Sequence, residues 1–72
     1  MPIVRMNVDS DCFVSIGYDI TEWALELTFQ SGHTYLLLGV SPVTALDFSN
    51  ASSKGQFYHS YLRGNYKEVK VR

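Results

Sequence analysis

Side chains alternate between two faces in two segments of the first forty positions, which is the period of a β-strand. The alternation is clearest from 23 to 30, where Glu26 indicates the face that meets water. A similar run covers 13–18, and the segment 34–40 is apolar on both faces. A strand that is apolar on both faces is expected in the middle of a sheet or covered on both sides. The pattern therefore predicts three antiparallel strands, at 13–18, 23–30 and 34–40.

The spacing of apolar residues changes to that of helices after position 41. Ser41 followed by a proline is a typical helix start, and a short helix is predicted over 42–49. A second helix is predicted over 53–63, capped by Ser52 or Ser53. Both helices follow the strands in the chain, so they are expected to pack together on one face of the sheet.

Two glycines are placed where tight turns need them. Gly32 lies between the second and third strands, and Gly64 follows the second helix. Both are expected to have a positive φ, which glycine adopts without a steric penalty. The two ends of the chain, 1–9 and 67–72, carry weaker patterns and are expected to be loose or to form edge segments.

The fold predicted from these elements is α+β: a small three-stranded antiparallel sheet followed by two short helices packed on one face, in the order β-β-β-α-α. Seventy-two residues form a single domain, spanning 1–72. Much of the core is expected to come from Trp23, Leu25, Leu27, Phe29, Leu46, Phe57, Tyr61 and Leu62.

Composition narrows the class of protein. Hydrophobic residues make up 46% of the chain and the net charge is only −1, which excludes an intrinsically disordered segment. Cys12 is the single cysteine, so no intramolecular disulfide can form, as is usual in a reducing compartment. No segment has the apolar length of a membrane span or of a signal peptide. These features predict a cytoplasmic protein.

Charge is distributed unevenly along the chain. Residues 1–50 contain six acids and one base, whereas residues 51–72 contain five bases and one acid, giving −5 and +4. The basic end also carries aromatic rings, and RNA binding uses cations for phosphates and rings for bases. The candidate nucleic-acid-binding residues are Lys54, Tyr58, His59, Arg63, Tyr66 and Lys67. One alternative is that the acidic and basic halves of the chain simply attract each other. Another is that the aromatic rings pack the helix against the sheet while the charged side chains only keep its outer face in contact with water.

A second candidate surface lies on the third strand. If one face of 34–40 is uncovered, Tyr35, Leu36 and Leu38 would form an apolar patch, and such patches mark sites for a protein partner or a second copy. The alternative is that the chain's own tail covers this strand.

Catalysis and metal binding find little support in the sequence. His59 has no carboxylate three or four positions away, and His33 lies in a predicted turn. A metal site needs three or four ligands in fixed geometry, and no glycine-rich phosphate loop is present. Cys12 is more typical of a small apolar filler than of a nucleophile. We therefore expect a non-enzymatic module without metal or cofactor.

Several short motifs, in order, resemble the KTSC domain family, named for the C-terminus of some lysyl-tRNA synthetases. The similarity runs from about Ser10 to Tyr66. Its anchors are Ser15-Ile16-Gly17-Tyr18-Asp19, Leu25-Glu26-Leu27-Thr28-Phe29, Ser31-Gly32, Tyr35, Val40, Pro42, Ser53-Lys54-Gly55, Phe57, Leu62, Arg63 and Tyr66.

The resemblance implies a small domain of a kind that also occurs as a stand-alone protein in bacteria and phages. The synthetase context implies an association with RNA or tRNA. One motif departs from the family, which tends to carry a central Tyr-x-Tyr where this chain has Tyr35-Leu36-Leu37. Any ligand role of the second tyrosine in the family therefore does not transfer to this chain.

Overall fold

The computed structural model describes residues 4–72 of the chain. Five antiparallel strands form one sheet, in which each strand pairs with the next along the chain. The strands are β1 (Val4–Asn7), β2 (Phe13–Asp19), β3 (Ala24–Phe29), β4 (Thr34–Leu38) and β5 (Lys67–Lys70). The helices are α1 (Pro42–Asn50) and α2 (Lys54–Phe57), and α2 continues as a π-helical turn (Tyr58–Leu62).

The predicted α+β class is confirmed, but the predicted number of strands is wrong. The two additional strands come from the end segments: β1 pairs with β2, and β5 pairs with β4. Each is only four residues long, which is too short for alternation to be read from the sequence. β5 makes β4 an interior strand, although the face that carries Leu36 and Leu38 stays uncovered within 4–72.

The helix starts agree with the sequence pattern. The Ser41 hydroxyl accepts a hydrogen bond from the backbone N–H of Thr44, and Ser53 accepts one from the N–H of Gln56. These bonds satisfy donors that the first helical turn leaves unpaired. Of the two serines considered for the second helix, Ser53 is therefore the cap.

One face of the sheet packs against the helices, and the other face has no covering element within residues 4–72. Of the predicted core residues, Leu25, Leu27 and Leu62 are buried, and Phe29 and Phe57 pack at the margin of the core. The buried apolar residues are Phe13, Ile16, Ala24, Leu25, Leu27, Leu37, Val40, Ala45, Phe48, Tyr58 and Leu62.

Three of the predicted core residues are exposed. Trp23 is 46% exposed, Leu46 60% and Tyr61 62%. Trp23 leaves the period-two pattern because its φ is +51°, a left-handed conformation that is unusual for a bulky residue. Leu46 and Tyr61 lie on the outer sides of their helices. These helices have so few turns that the spacing of apolar residues does not show which side is buried.

A β-bulge changes which β2 side chains reach the core. Strict alternation places Phe13 opposite in direction to Ile16, yet both are buried. The pairing of β2 with β3 shifts between Phe13 and Ser15, which adds one residue at Val14. The extra residue turns Phe13 back to the helix side, where it contacts the ring of Phe48 at 5.8 Å.

Glu26 is also an exception to the predicted pattern. Its side chain lies on the uncovered face, as expected, but Glu26 is only 4% exposed. Arg5 of β1 covers it and donates from Nε and from an Nη to the two carboxylate oxygens, at 2.6 and 3.0 Å. The prediction that Glu26 meets water is therefore wrong, because a base from an unpredicted strand pairs with it.

The turn predictions are confirmed. Gly32 has a φ of +94° and Gly64 a φ of +79°. Gly39, with a φ of +84°, ends β4 and was not predicted to be strained. A Cβ at any of these three glycines would meet no atom within 4 Å, so only the backbone conformation disfavours larger residues there.

Candidate nucleic-acid interface

Tyr58 is a core residue. It is 6% exposed, and its ring contacts those of Phe13 and Phe29 edge-on at 5.7 and 5.6 Å. Its hydroxyl donates to the carboxylate of Glu68, which lies 3.1 Å away through either oxygen. The expectation that Tyr58 offers a ring face to a base is therefore wrong for this structure, because the helix turns that ring into the sheet.

The surroundings of Tyr58 change its acidity. Burial raises the pKa of Tyr58 to about 12, and the Glu68 carboxylate adds to the shift. The Arg63 charge acts in the opposite direction. The hydrogen bond between Tyr58 and Glu68 therefore ties the π-helical turn to β5.

Tyr61 presents the aromatic surface that was expected of Tyr58. Its ring is 62% exposed and lies 4.9 Å from the ring of Phe57. Tyr61, Phe57 and Tyr66 line an open cleft of about 460 Å³, with Thr44 and Asp47 on its α1 side. Sequence reasoning missed Tyr61 because four-residue spacing placed it in the core stripe.

The remaining predicted residues do not form one continuous surface. His59 and Arg63 are exposed at the π-helical turn, and Tyr66 is half-buried in the cleft beside Tyr61. Lys67 lies opposite Leu38, and its neighbour Glu68 reaches Tyr58 on the helix side. Because successive side chains in a strand alternate, Lys67 lies on the uncovered face of the sheet.

Lys54 lies at the other end of the helix. Its Nζ donates to the backbone oxygen of Ala51 at 3.1 Å. It also lines a polar cleft of about 220 Å³ that includes Asp9 and Asp11. Nine residues of helical chain separate it from Arg63, a distance of about 13 Å along the axis. Of the six predicted residues, Tyr66 shares a cleft with Tyr61, and His59 and Arg63 are exposed at or just after the same turn; we call these four residues the helix-end surface.

The basic charges of this region are not neutralised by direct ion pairs. Among the described residues, Arg5 with Glu26 is the one salt bridge within 4.0 Å, and both partners come from the acidic half. The expectation that the two halves of the chain attract each other therefore finds no direct ion pair within 4–72.

The second predicted surface is divided between the two faces of the sheet. Tyr35 packs on the helix side, where its ring meets that of Phe29 at 5.6 Å. Leu36 and Leu38 belong to the uncovered face, where Leu36 lies opposite Val69 of β5. Leu38 is 38% exposed and Val69 36%, so a narrow apolar strip remains there without Tyr35.

A larger apolar groove was not predicted. It lies on the helix side between the β1–β2 end of the sheet and α1, with a volume of about 620 Å³. Its walls include Met6, Ile20 and Leu46, which are 53%, 63% and 60% exposed. The signal was obscured because β1 was not recognised as a strand.

No group of three or more His, Cys, Asp or Glu in the described part of the chain could hold a metal ion. Within 4–72, no helix has the length and apolar character needed to cross a membrane.

The fold and this surface define a small α+β domain with a meandering five-stranded sheet and helices on one face. A family model described as the KTSC domain matches residues 9–66, close to the range expected from the motifs. The chain therefore belongs to the KTSC domain family, as its sequence motifs predicted.

Similar proteins are of two kinds. A crystal structure of a KTSC domain protein from Yersinia pestis is 34% identical, with a TM-score of 0.95 over 99% of this chain and 100% of that one. Fifty residues are also 34% and 36% identical to the lysine–tRNA ligases of Trichormus variabilis and a Nostoc species. That stretch covers 69% of this chain but only 9% of each ligase.

Proposed function

We propose that this chain is a small, non-enzymatic, cytoplasmic module that binds single-stranded RNA weakly through the helix-end surface. The observation that carries the proposal is the 62% exposure of Tyr61, two positions before Arg63, which forms no salt bridge among the described residues. RNA recognition commonly targets unstacked bases, which stack on aromatic rings while cations contact the phosphates. The net charge of −1 restricts binding to this local surface.

The relatives support the same kind of ligand. Two proteins that contain a similar 50-residue stretch are named lysine–tRNA ligases, and that stretch is 9% of their length. A small segment attached to such an enzyme would contribute most simply by holding RNA. For this chain, we propose an RNA loop or single-stranded end, which displays free bases.

Each residue of the helix-end surface has a distinct role in the proposal. Tyr61 stacks on one base, and Tyr66 at the wall of the cleft limits where the next base can lie. Arg63 and the neighbouring His59 contact phosphates, the histidine only when protonated. Tyr58 contributes by fixing the turn beneath them and does not contact RNA.

The proposal is tested by titrating a labelled, mixed-sequence single-stranded RNA at two salt concentrations. Two phosphate contacts, from Arg63 and His59, predict a slope of log K against log salt of about −1.4. Arg63→Ala should reduce that slope by about 0.7, the expectation for one lost contact. Tyr61→Ala should weaken binding by about 1–3 kcal/mol with little change of slope, whereas Tyr61→Phe should retain affinity.

Lys54→Ala provides the matched control, because it removes the same charge from the other end of the helix. We expect its slope to equal that of the unmodified chain. Urea melts of each variant separate a loss of binding from a loss of folding. Absence of binding at low salt, or equal effects of Lys54→Ala and Arg63→Ala, would contradict the proposed interface.

A protein partner on the uncovered face is the second candidate, favoured by the exposure of Leu38 and Val69. Apolar association depends weakly on salt, unlike binding to phosphates. Capture of a protein from nuclease-treated lysate at high salt, abolished by Leu38→Lys and retained by Arg63→Ala, would favour this candidate. Loss of capture on nuclease treatment would exclude it.

A further inference from the structure

The two outer edges of the sheet differ in how they are protected against pairing. The β5 edge carries Lys67, Glu68 and Lys70, and charged side chains of this kind discourage another strand from docking. In β1 the only charge is Arg5, and Glu26 already binds it. β1 is therefore the unguarded edge of the sheet.

The pairing of β1 with β2 fixes which of its backbone groups point outward. The N–H of Val8 donates to the oxygen of Val14 at 3.1 Å, and Met6 is opposite Ile16 in the same register. Hydrogen-bonded and free positions alternate along an antiparallel strand. The N–H and C=O groups of Arg5 and Asn7 thus face away from β2, and within 4–72 they have no hydrogen-bond partner.

The apolar groove adjoins this same edge. Met6 projects to the helix side, because its partner Ile16 is in the core, and it meets solvent with 53% of its surface. Tyr18 in the groove already donates its hydroxyl to the oxygen of Val40. The groove walls are apolar, and the one tyrosine hydroxyl among them already has a hydrogen-bond partner. The groove therefore suits an apolar side chain carried by a β-strand that pairs with β1.

We propose that the occupant is a second copy of this chain, paired antiparallel through β1 about a two-fold axis at Met6. In this register Arg5 of each copy lies opposite Asn7 of the other, so all four outward groups on each strand find partners. The two Met6 side chains meet at the axis, on the helix side, and join the two grooves.

The strand favours this register over a shift of one residue and over an axis at Arg5. A shift of one residue would place the hydrogen-bonding positions of one strand opposite the non-hydrogen-bonding positions of the other. It would also move Met6 to the face of the sheet away from the helices. A shift that centres the axis on Arg5 would place two like charges directly opposite each other, which is destabilising. β1 is thus complementary to itself about the axis at Met6, as a two-fold interface requires.

The size of the interface explains why the groove must take part. A stable interface buries about 800 Å² on each partner, roughly a sixth of the 4544 Å² surface of this chain. Four paired residues cannot supply that area alone. The exposed side chains of Ile20 and Leu46 flank the groove and provide the additional apolar contact.

The first test is sedimentation velocity from about 1 µM to about 1 mM protein, with dimer expected to increase with concentration. Met6→Lys places two charges at the axis and should leave only monomer. Val69→Lys introduces the same charge at a similarly exposed position on the opposite edge strand and should leave the dimer intact. A chain that stays monomeric throughout, or that associates equally with Met6→Lys, would overturn the proposal.

Cross-linking tests the register in a Cys12→Ser background. The Cα atoms of the two Met6 residues would be about 4.5 Å apart, within disulfide range. The two Asn7 Cα atoms would be separated by about 8 Å, beyond that range. Met6→Cys should therefore form a covalent dimer under oxidation, and Asn7→Cys should not. Equal cross-linking of the two variants would rule out the two-fold axis at Met6.

Discussion

Replacing Tyr58 with phenylalanine isolates the contact that joins the π-helical turn to β5. The substitution keeps the ring and its edge-on packing against Phe13 and Phe29. It removes only the hydroxyl, which donates to the two carboxylate oxygens of Glu68 at 3.1 Å each. The effect on stability therefore measures one hydrogen bond shared between two acceptors.

The expected loss is about 1 kcal/mol in the free energy of unfolding. A hydrogen bond to a charged acceptor contributes about 1.5–3 kcal/mol. Glu68 is only partly buried, however, and its carboxylate recovers hydration when the hydroxyl is removed. That rehydration reduces the loss to the lower end of the range or below it. For a domain of this size, 1 kcal/mol corresponds to a decrease in Tm of about 4–8 °C.

The pH dependence provides a second signature of the same contact. Burial raises the pKa of Tyr58 from 10.0 to about 12, so the folded state holds this proton more tightly than the unfolded state. Its contribution is complete below pH 10 and is lost as the pH rises towards 12. The phenylalanine variant lacks this group, so its stability should fall less steeply over that interval, by about 1–3 kcal/mol in total.

Urea melts at pH 7 and at several values between pH 10 and 12 measure both effects. Glu68→Gln and the double variant complete a cycle, in which we expect a coupling energy of about 1 kcal/mol. A Tyr58→Phe variant as stable as the unmodified chain at pH 7, with an unchanged slope above pH 10, would refute the hydrogen bond. RNA affinity should be the same in both chains, because Tyr58 is buried.

Three further comparisons test the packing and the turns by urea melts. Leu62→Ala should cost about 2–5 kcal/mol because Leu62 is fully buried, whereas Phe57→Ala at the core margin should cost about 1–2 kcal/mol; the reverse order would contradict the helix orientation. Gly64→Ala should cost about 1 kcal/mol for its positive φ, whereas Gly55→Ala should stabilise by about 0.5–1 kcal/mol, since its new Cβ would meet Cys12 at a tolerable 3.4 Å; equal effects would refute the backbone argument. Gly32→Val should cost about 1–2 kcal/mol, and a loss of only a few tenths would show that the turn can change its conformation.

Sequence reasoning succeeded where local chemistry decides the structure. The strand at 23–30 and the helix starts at Ser41 and Ser53 depend on short-range alternation and capping. The positive φ angles of Gly32 and Gly64 depend on the absence of a Cβ. Each of these signals lies within a few residues of the feature that it specifies, and the order of the KTSC motifs adds the family.

The candidate site was only partly accessible from the sequence. A basic and aromatic segment suggested His59, Arg63 and Tyr66, whose role stays a prediction. Sequence reasoning, however, placed Tyr61 in the core and Tyr58 on the candidate surface, the reverse of what the structure shows. Their difference depends on how the short helix and its π-helical turn are rotated against the sheet.

The features that only the tertiary structure decided depend on contacts between residues that are distant in the chain. The end segments become strands because β2 and β4 offer them edges, and Glu26 is buried because Arg5 is brought over it from another strand. The bulge that returns Phe13 to the core is defined by its pairing with β3. A period of two or four residues describes one element at a time, whereas edges, ion pairs and grooves exist only after separate elements have packed together.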